Sequence, residues 1–201
     1  MAQDIYLDTL AVMDSLKRYA SPRSKLTTMI DKGEVIRVRR GLYVAGGEDA
    51  RYSKSTLANK VYGPSYISFE YALAYYGLIP ERVENVTSAS LNKNRSKRYN
   101  TPLGVYIYWP IPQKAFPCEV RRIEEGGNPF LIASQEKALC DTLYRRRKIV
   151  TVESLTTLLI EDMRMDMDIL ATLNKNVITR LSPLYGKRVH SLFAKWYIKE
   201  F

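Results

Sequence analysis

The chain has little with which to hold a metal or form a cross-link: two cysteines, Cys118 and Cys140, and a single histidine, His190, in 201 residues. Neither cysteine belongs to a Cys-x-x-Cys pair or has a histidine nearby in sequence. No zinc site or disulfide framework is expected, and the thiols read as small, reduced, apolar groups. Long apolar runs are missing too. Stretches such as Leu158 to Ile160 or Val105 to Ile107 fall far short of the roughly 20 residues a membrane helix requires. The N-terminal Met1-Ala2-Gln3-Asp4 lacks the basic and apolar regions of a secretory signal. The reading is a cytoplasmic protein with no membrane contact.

Acid is also scarce, at 21 Asp and Glu against 31 Lys and Arg, for a net charge of +10 at pH 7. A composition 46% hydrophobic and 26% charged is ordinary globular usage, so the chain should fold. It is long enough for one large domain or two small ones. The positive excess is concentrated: Lys17 to Arg40 holds 8 basic and 2 acidic residues. Such density suits a polyanion such as DNA, although a solvated basic face has the same composition.

Asp4 to Tyr19 has apolar residues at Ile5, Leu7, Leu10, Met13 and Leu16, which predicts one or two short helices. Ser21 then offers a cap and Pro22 a first helical residue, so a helix is predicted to Lys32, ended by Gly33. Leu26, Met29 and Ile30 share its apolar face. Arg23, Ser24, Lys25, Thr27 and Thr28 lie on the other face and its flanks. After Gly33 the period changes to two: Ile36 and Val38 alternate with Arg37 and Arg39, and Arg40-Gly41 turns the chain into Leu42-Tyr43-Val44, a ribbon with a basic tip. A short helix before Gly63-Pro64 completes a domain of residues 1–64, a winged helix-turn-helix.

Residues 65–201 read as a second, α+β domain with an antiparallel sheet and a helical tail. Ser68 caps a helix to Tyr76. Strands are expected at Val83 to Ala89, Val105 to Trp109, Val120 to Glu124 and Phe130 to Ala133. Ser134 caps a helix ending near Arg145 to Lys148, and helices follow from Val152 onward. The boundary is placed at Gly63-Pro64, where local structure ends.

A helix-turn-helix pushes a short braced helix into the major groove. Arg23, Ser24, Lys25, Thr27 and Thr28 are therefore the candidates for base edges, with Arg37, Arg39 and Arg40 on phosphates and Lys17 and Arg18 beside them. Lys93, Arg95, Lys97 and Arg98 form a further basic cluster, read as an exposed loop that either touches DNA or an acidic partner or is simply solvated. Glu136, Lys137 and Asp141 look catalytic at first sight. No nucleophile–base pair or metal triad accompanies them, and a capped helix with a core face of Ala138, Leu139 and Leu143 is preferred. Asp166-Met167-Asp168 lacks a Gly-Ser signature before it, Gly126-Gly127-Asn128-Pro129 reads as a turn, and His190 reads as a surface or boundary residue. No catalytic residue, metal or cofactor is expected.

Arg40-Gly41-Leu42-Tyr43-Val44, the run Tyr66 to Pro80, Thr101-Pro102-Leu103-Gly104 and the run Ala133 to Tyr144 together resemble, in order and spacing, the AbiEi family of antitoxins. The resemblance covers roughly residues 5–150 and departs at Gln135, where the family usually has proline. It implies a type IV toxin–antitoxin system used by bacteria against phage. The first domain would repress its own promoter at inverted repeats, and the second would counteract a co-encoded nucleotidyltransferase toxin. A free-standing winged-helix regulator with a ligand-binding or dimerisation domain is the alternative expectation, and a nuclease or nucleotidyltransferase a third.

Overall fold

The computed structural model describes residues 6–47, 52–91 and 95–201. The fold is α+β, built on a three-stranded antiparallel sheet and a six-stranded mixed sheet. None of the helices among the described residues is long and apolar enough to cross a membrane.

The chain opens on β1 (Tyr6–Asp8), then α1 (Thr9–Ser15) and α2 (Pro22–Asp31), then the ribbon β2 (Val35–Arg39) and β3 (Leu42–Ala45). The strand at Tyr6–Asp8 replaces the start of the expected helix: Tyr6, Leu7 and Asp8 pair antiparallel with Val44, Tyr43 and Leu42. Asp8 then caps α1 by accepting from the Ala11 N–H. Ser21 does sit at the N-cap of α2, but its hydroxyl bonds the Ser24 hydroxyl instead of a backbone N–H. At the other end Gly33 is left-handed (φ 73°), as the stop signal requires. Gly46 is needed for a different reason: a Cβ there would stand 1.9 Å from the Gly33 carbonyl oxygen, so only glycine lets β3 pass the end of α2.

The ribbon has two buried faces. Val35 and Tyr43 pack with Val12, Leu16 and Leu26 of the two helices. Val38, Leu42 and Val44 face the other way, into the main core. A bulge between Arg37 and Arg39 keeps both arginines exposed while Val38 points inward.

The main core includes α3 (Lys54–Val61), β4 (Ser65–Ile67), α4 (Phe69–Tyr75), β5 (Val86–Ser90), β6 (Lys97–Thr101), β7 (Gly104–Pro110), β8 (Val120–Glu125), β9 (Asn128–Ala133) and α5 (Gln135–Arg145). Strand order is β6-β7-β5-β4-β9-β8. The sheet expected to be antiparallel is mixed, because β5 runs parallel to β7 and β4 parallel to β9. Neither pair is joined by a hairpin: β6 lies between β5 and β7 in the chain, and α4 and four strands lie between β4 and β9. The expected loop of residues 93–98 is also corrected in part. Lys97 and Arg98 open edge strand β6, paired with β7, and Lys93 lies outside the described residues.

The boundary expected at Gly63-Pro64 does not divide two cores. Leu57, Ala58 and Val61 of α3 are fully buried together with Tyr66, Ile67 and Tyr108, and the Tyr108 hydroxyl donates to the Ala58 carbonyl at 2.6 Å. Tyr6 adds a polar link, accepting from the Ser53 N–H and donating to Asn128 Oδ1, both at 2.8 Å. The N-terminal module is thus fastened to the larger sheet by packing and by hydrogen bonds.

The tail is helical: α6 (Val152–Thr156), widened into a π-helical turn at Thr157–Asp162, then α7 (Met167–Ala171), α8 (Lys175–Leu181), a tight turn at Ser182–Tyr185 and α9 (Arg188–Glu200). The apolar face read at Val189, Phe193 and Trp196 is buried, and Leu192 is half-buried. His190 is a correction, since it is fully buried where a surface or boundary position was expected.

Candidate nucleic-acid interface

Helix α2 is held by one buried side chain, Leu26, with Met29 and Ile30 half-buried beside it. That anchoring turns Arg23, Ser24, Thr27 and Thr28 to solvent. The two threonine hydroxyls donate to the carbonyls four residues back, Arg23 and Ser24, so each keeps its lone pairs for an outside donor. Lys25 is half-buried, its ammonium 5.2 Å from the centre of the Tyr19 ring, and Arg18 lies over the same ring at 5.4 Å. Lys17 is exposed and tied to Asp14 at 3.0 Å, a surface pair of little energetic weight.

On the ribbon, Arg37, Arg39 and Arg40 are exposed, and none has an acidic partner among the described residues. Arg39 donates to the Arg40 carbonyl at 2.9 Å, which holds its guanidinium beside the turn. The structure therefore brings the candidates into two groups on neighbouring elements, α2 and the ribbon, that pack against each other through Leu26, Val35 and Tyr43.

A third group lies on the larger sheet. Arg95, Lys97 and Arg98 are exposed, with Arg98 bonded to Asn100 at 3.1 Å. Lys97 is paired opposite Tyr108, which packs against Tyr62 and Tyr99 with ring centres 5.1 and 5.9 Å away.

The Glu136, Lys137 and Asp141 set is sealed rather than presented. Lys137 and Asp141 have no solvent exposure and pair at 3.1 Å. Asp141 also accepts from Tyr185 (2.6 Å), Tyr66 (3.0 Å) and Ser68 (2.7 Å). Ser68 therefore spends its hydroxyl on Asp141 and does not cap α4 as expected. Ser134 does cap α5, accepting from the Lys137 N–H, and also bonds Glu136, whose other oxygen takes the Asn174 N–H. Burial first, and then Asp141, push the Tyr66 and Tyr185 hydroxyls well above the usual tyrosine range.

His190 stacks on Tyr185 with ring centres 4.2 Å apart, and burial pushes its pKa down to about 4. This arrangement ties β4, α5 and the helical tail together. Asp166 is likewise used locally, capping α7 by accepting from the Asp168 N–H. Gly126 and Gly127 are left-handed and close the β8–β9 hairpin, the expected turn. Among the described residues, no three His, Cys, Asp or Glu side chains converge to hold a metal ion.

Two features escaped the sequence reading, the burial of the Lys137–Asp141 pair and the tyrosines that surround it. The only signal was the recurrence of tyrosine, 15 in all.

No family model and no curated protein matches the chain. Among solved structures it is similar to the RV2827C protein from Mycobacterium tuberculosis, with a TM-score of 0.57 at 13% identity, over 98% of this chain and 72% of that one. That likeness is one of fold.

Proposed function

We propose that the chain is a DNA-binding regulator whose residues 6–45 act as a winged helix-turn-helix. Helix α2 enters the major groove and the β2–β3 ribbon lies along flanking phosphates. The observation that carries this reading is the polarity of α2: Leu26 anchors it from behind while Arg23, Ser24, Thr27 and Thr28 face out, next to three exposed arginines on the ribbon. Arginine suits guanine edges, hydroxyls suit several bases, and unpaired guanidiniums suit phosphate oxygens. Arg95, Lys97 and Arg98, exposed at and just before β6, form a further basic surface. Together with the resemblance to AbiEi antitoxins, this supports autorepression at inverted repeats in the chain's own promoter. The resemblance alone supports a non-catalytic, cofactor-free antitoxin role against a co-encoded nucleotidyltransferase.

The test is titration of labelled promoter DNA with the full chain over a range of salt. Arg39→Ala and Arg40→Ala should each weaken binding to all sequences and lower the salt slope by about one unit per lost phosphate contact. An unchanged slope with loss at only some operators would remove the ribbon from the phosphates. Co-expression with any nucleotidyltransferase encoded beside the chain separates the two roles: repression without protection would leave a free-standing regulator.

A further inference from the structure

We infer that Arg147 and Lys187, where the end of α5 meets the start of α9, bind the phosphate chain of a small ligand such as a nucleotide. DNA binding through α2 and the ribbon leaves unused the basic run Arg145 to Lys148 at the end of α5. Its four cations fall into two pairs. Arg145 and Arg146 share one acid, Glu70, at 3.2 and 3.5 Å, and Arg145 also lies 3.9 Å over the Trp109 ring. Arg147 and Lys148 are exposed, with no acidic partner among the described residues. The start of α9 adds Lys187 at the N-cap and then Arg188, both exposed and both equally without an acid.

The two elements are locked together at this point. Lys187 Nζ donates to the Tyr144 carbonyl at 2.6 Å and stands 4.0 Å over the Tyr144 ring. In the first turn of α9, His190 Nε2 donates to the Cys140 carbonyl at 2.9 Å. Arg147 and Lys187 are thereby kept near each other: burial first, and then the Arg147 charge, push the Lys187 ammonium below the usual lysine range. The position is unfavourable for cations in a second way. The N-terminal end of a helix carries the positive half of its dipole, so acids belong there, and the first turn of this 13-residue helix has none. Like charges held together at such a point lack a counter-charge, which a bound anion would supply.

The cations also select the kind of anion. A carboxylate would neutralise one of the pair and leave the other, whereas a phosphate chain carries enough charge for both. Arginine's planar fork takes two phosphate oxygens at once, and lysine adds a compact charge beside it. Lys148 and Arg188, next in sequence to the pair, supply further charge for a chain of more than one phosphate.

Pyrophosphate is the probe, titrated into the full chain with ionic strength held constant by chloride. Binding should saturate at one site and raise the melting temperature by roughly 3–6 °C at ten times the dissociation constant. Arg147→Gln and Lys187→Gln should each weaken it by about fivefold or more. Without ligand, Arg147→Gln should melt no lower than the parent, since Arg147 has no acidic partner to lose. Lys195→Gln/Lys199→Gln, a pair of exposed lysines further along α9, and Arg39→Ala on the ribbon should bind pyrophosphate as the parent does. Equal loss in the Lys195/Lys199 variant would make net charge the binder. An Arg147→Gln variant that keeps pyrophosphate but lowers the salt slope on duplex DNA would make the cluster a contact for the DNA backbone. A titration that does not saturate by about 10 mM would leave no site. Each of these results overturns the inference, and none of them removes α2 from DNA.

Discussion

Replacing Asp141 by asparagine removes one charge from a pair whose two side chains have no solvent exposure. Lys137 Nζ would keep its bond to the Tyr185 hydroxyl at 2.7 Å but lose the carboxylate at 3.1 Å that balances it. Breaking one side of a buried ion pair costs about 3–5 kcal/mol, because the remaining ammonium is stranded in low dielectric. For a chain of this size that is a fall in melting temperature of roughly 6–20 °C. Removing both charges, in Lys137→Met/Asp141→Asn, should cost less than Asp141→Asn alone, because asparagine still offers an acceptor to Tyr66 and Ser68 and no charge remains unpaired. Urea unfolding of the two single variants and the double gives the coupling directly. If the double variant loses the sum of the singles, or if Asp141→Asn loses under about 1 kcal/mol, the pair is not an isolated buried unit and the reasoning fails.

His190 gives a pH signature. Its folded pKa is about 4 against an ordinary 6.5, so the unfolded chain binds the extra proton first as pH falls. The stability that this supplies is complete above pH 6.5 and is lost as pH drops toward 4, up to about 3 kcal/mol at 1.36 kcal/mol per unit. His190→Gln should flatten that stretch of a stability–pH curve, and a curve with unchanged slope would count against burial as the cause. Leu26→Ala should cost roughly 2–5 kcal/mol of folding stability, whereas Thr28→Ala should shift operator preference and leave the melting curve in place; the reverse pattern would mean α2 is rotated. A fragment beginning at Ser65 should not melt cooperatively, since it lacks Leu57 and Val61, each worth about 1.5–3 kcal/mol of burial, and leaves the Tyr108 hydroxyl without its acceptor. A sharp transition for that fragment would show α3 to be dispensable.

Local signals carried a good part of the fold. Ser21-Pro22 and Gly33 bracket α2 to within a residue, since helix ends are written in residues that only ends favour. The alternation around Ile36 and Val38 located the ribbon, and Ser134 located α5. What was illegible depends on distant partners. Tyr6–Asp8 is a strand because β3 lies beside it, which no property of those three residues announces. Lys97 and Arg98 look like loop because charge usually does, yet an edge strand leaves half its surface in water and tolerates them. The parallel pairings of β5 with β7 and β4 with β9 follow from the path of the whole chain. Lys137 and Asp141, four apart on a helix, have the spacing of any surface pair. Only the closure of Tyr66, Ser68 and Tyr185 over them makes the site dry.

The ribbon's two buried faces have a mechanical consequence. Because Val35 and Tyr43 belong to one core and Val38, Leu42 and Val44 to the other, the same strands that would carry the arginines onto DNA are a wall common to both halves of the molecule. Such a wall transmits torque. A duplex gripped on one side would twist against the stiffness of the larger sheet instead of against a slack tether. The angle between the gripped duplex and the larger sheet of the same copy would then be set by the protein and not by chain entropy. Each bound copy would hold its larger sheet at one fixed angle to the duplex, where a tethered head would leave that angle free.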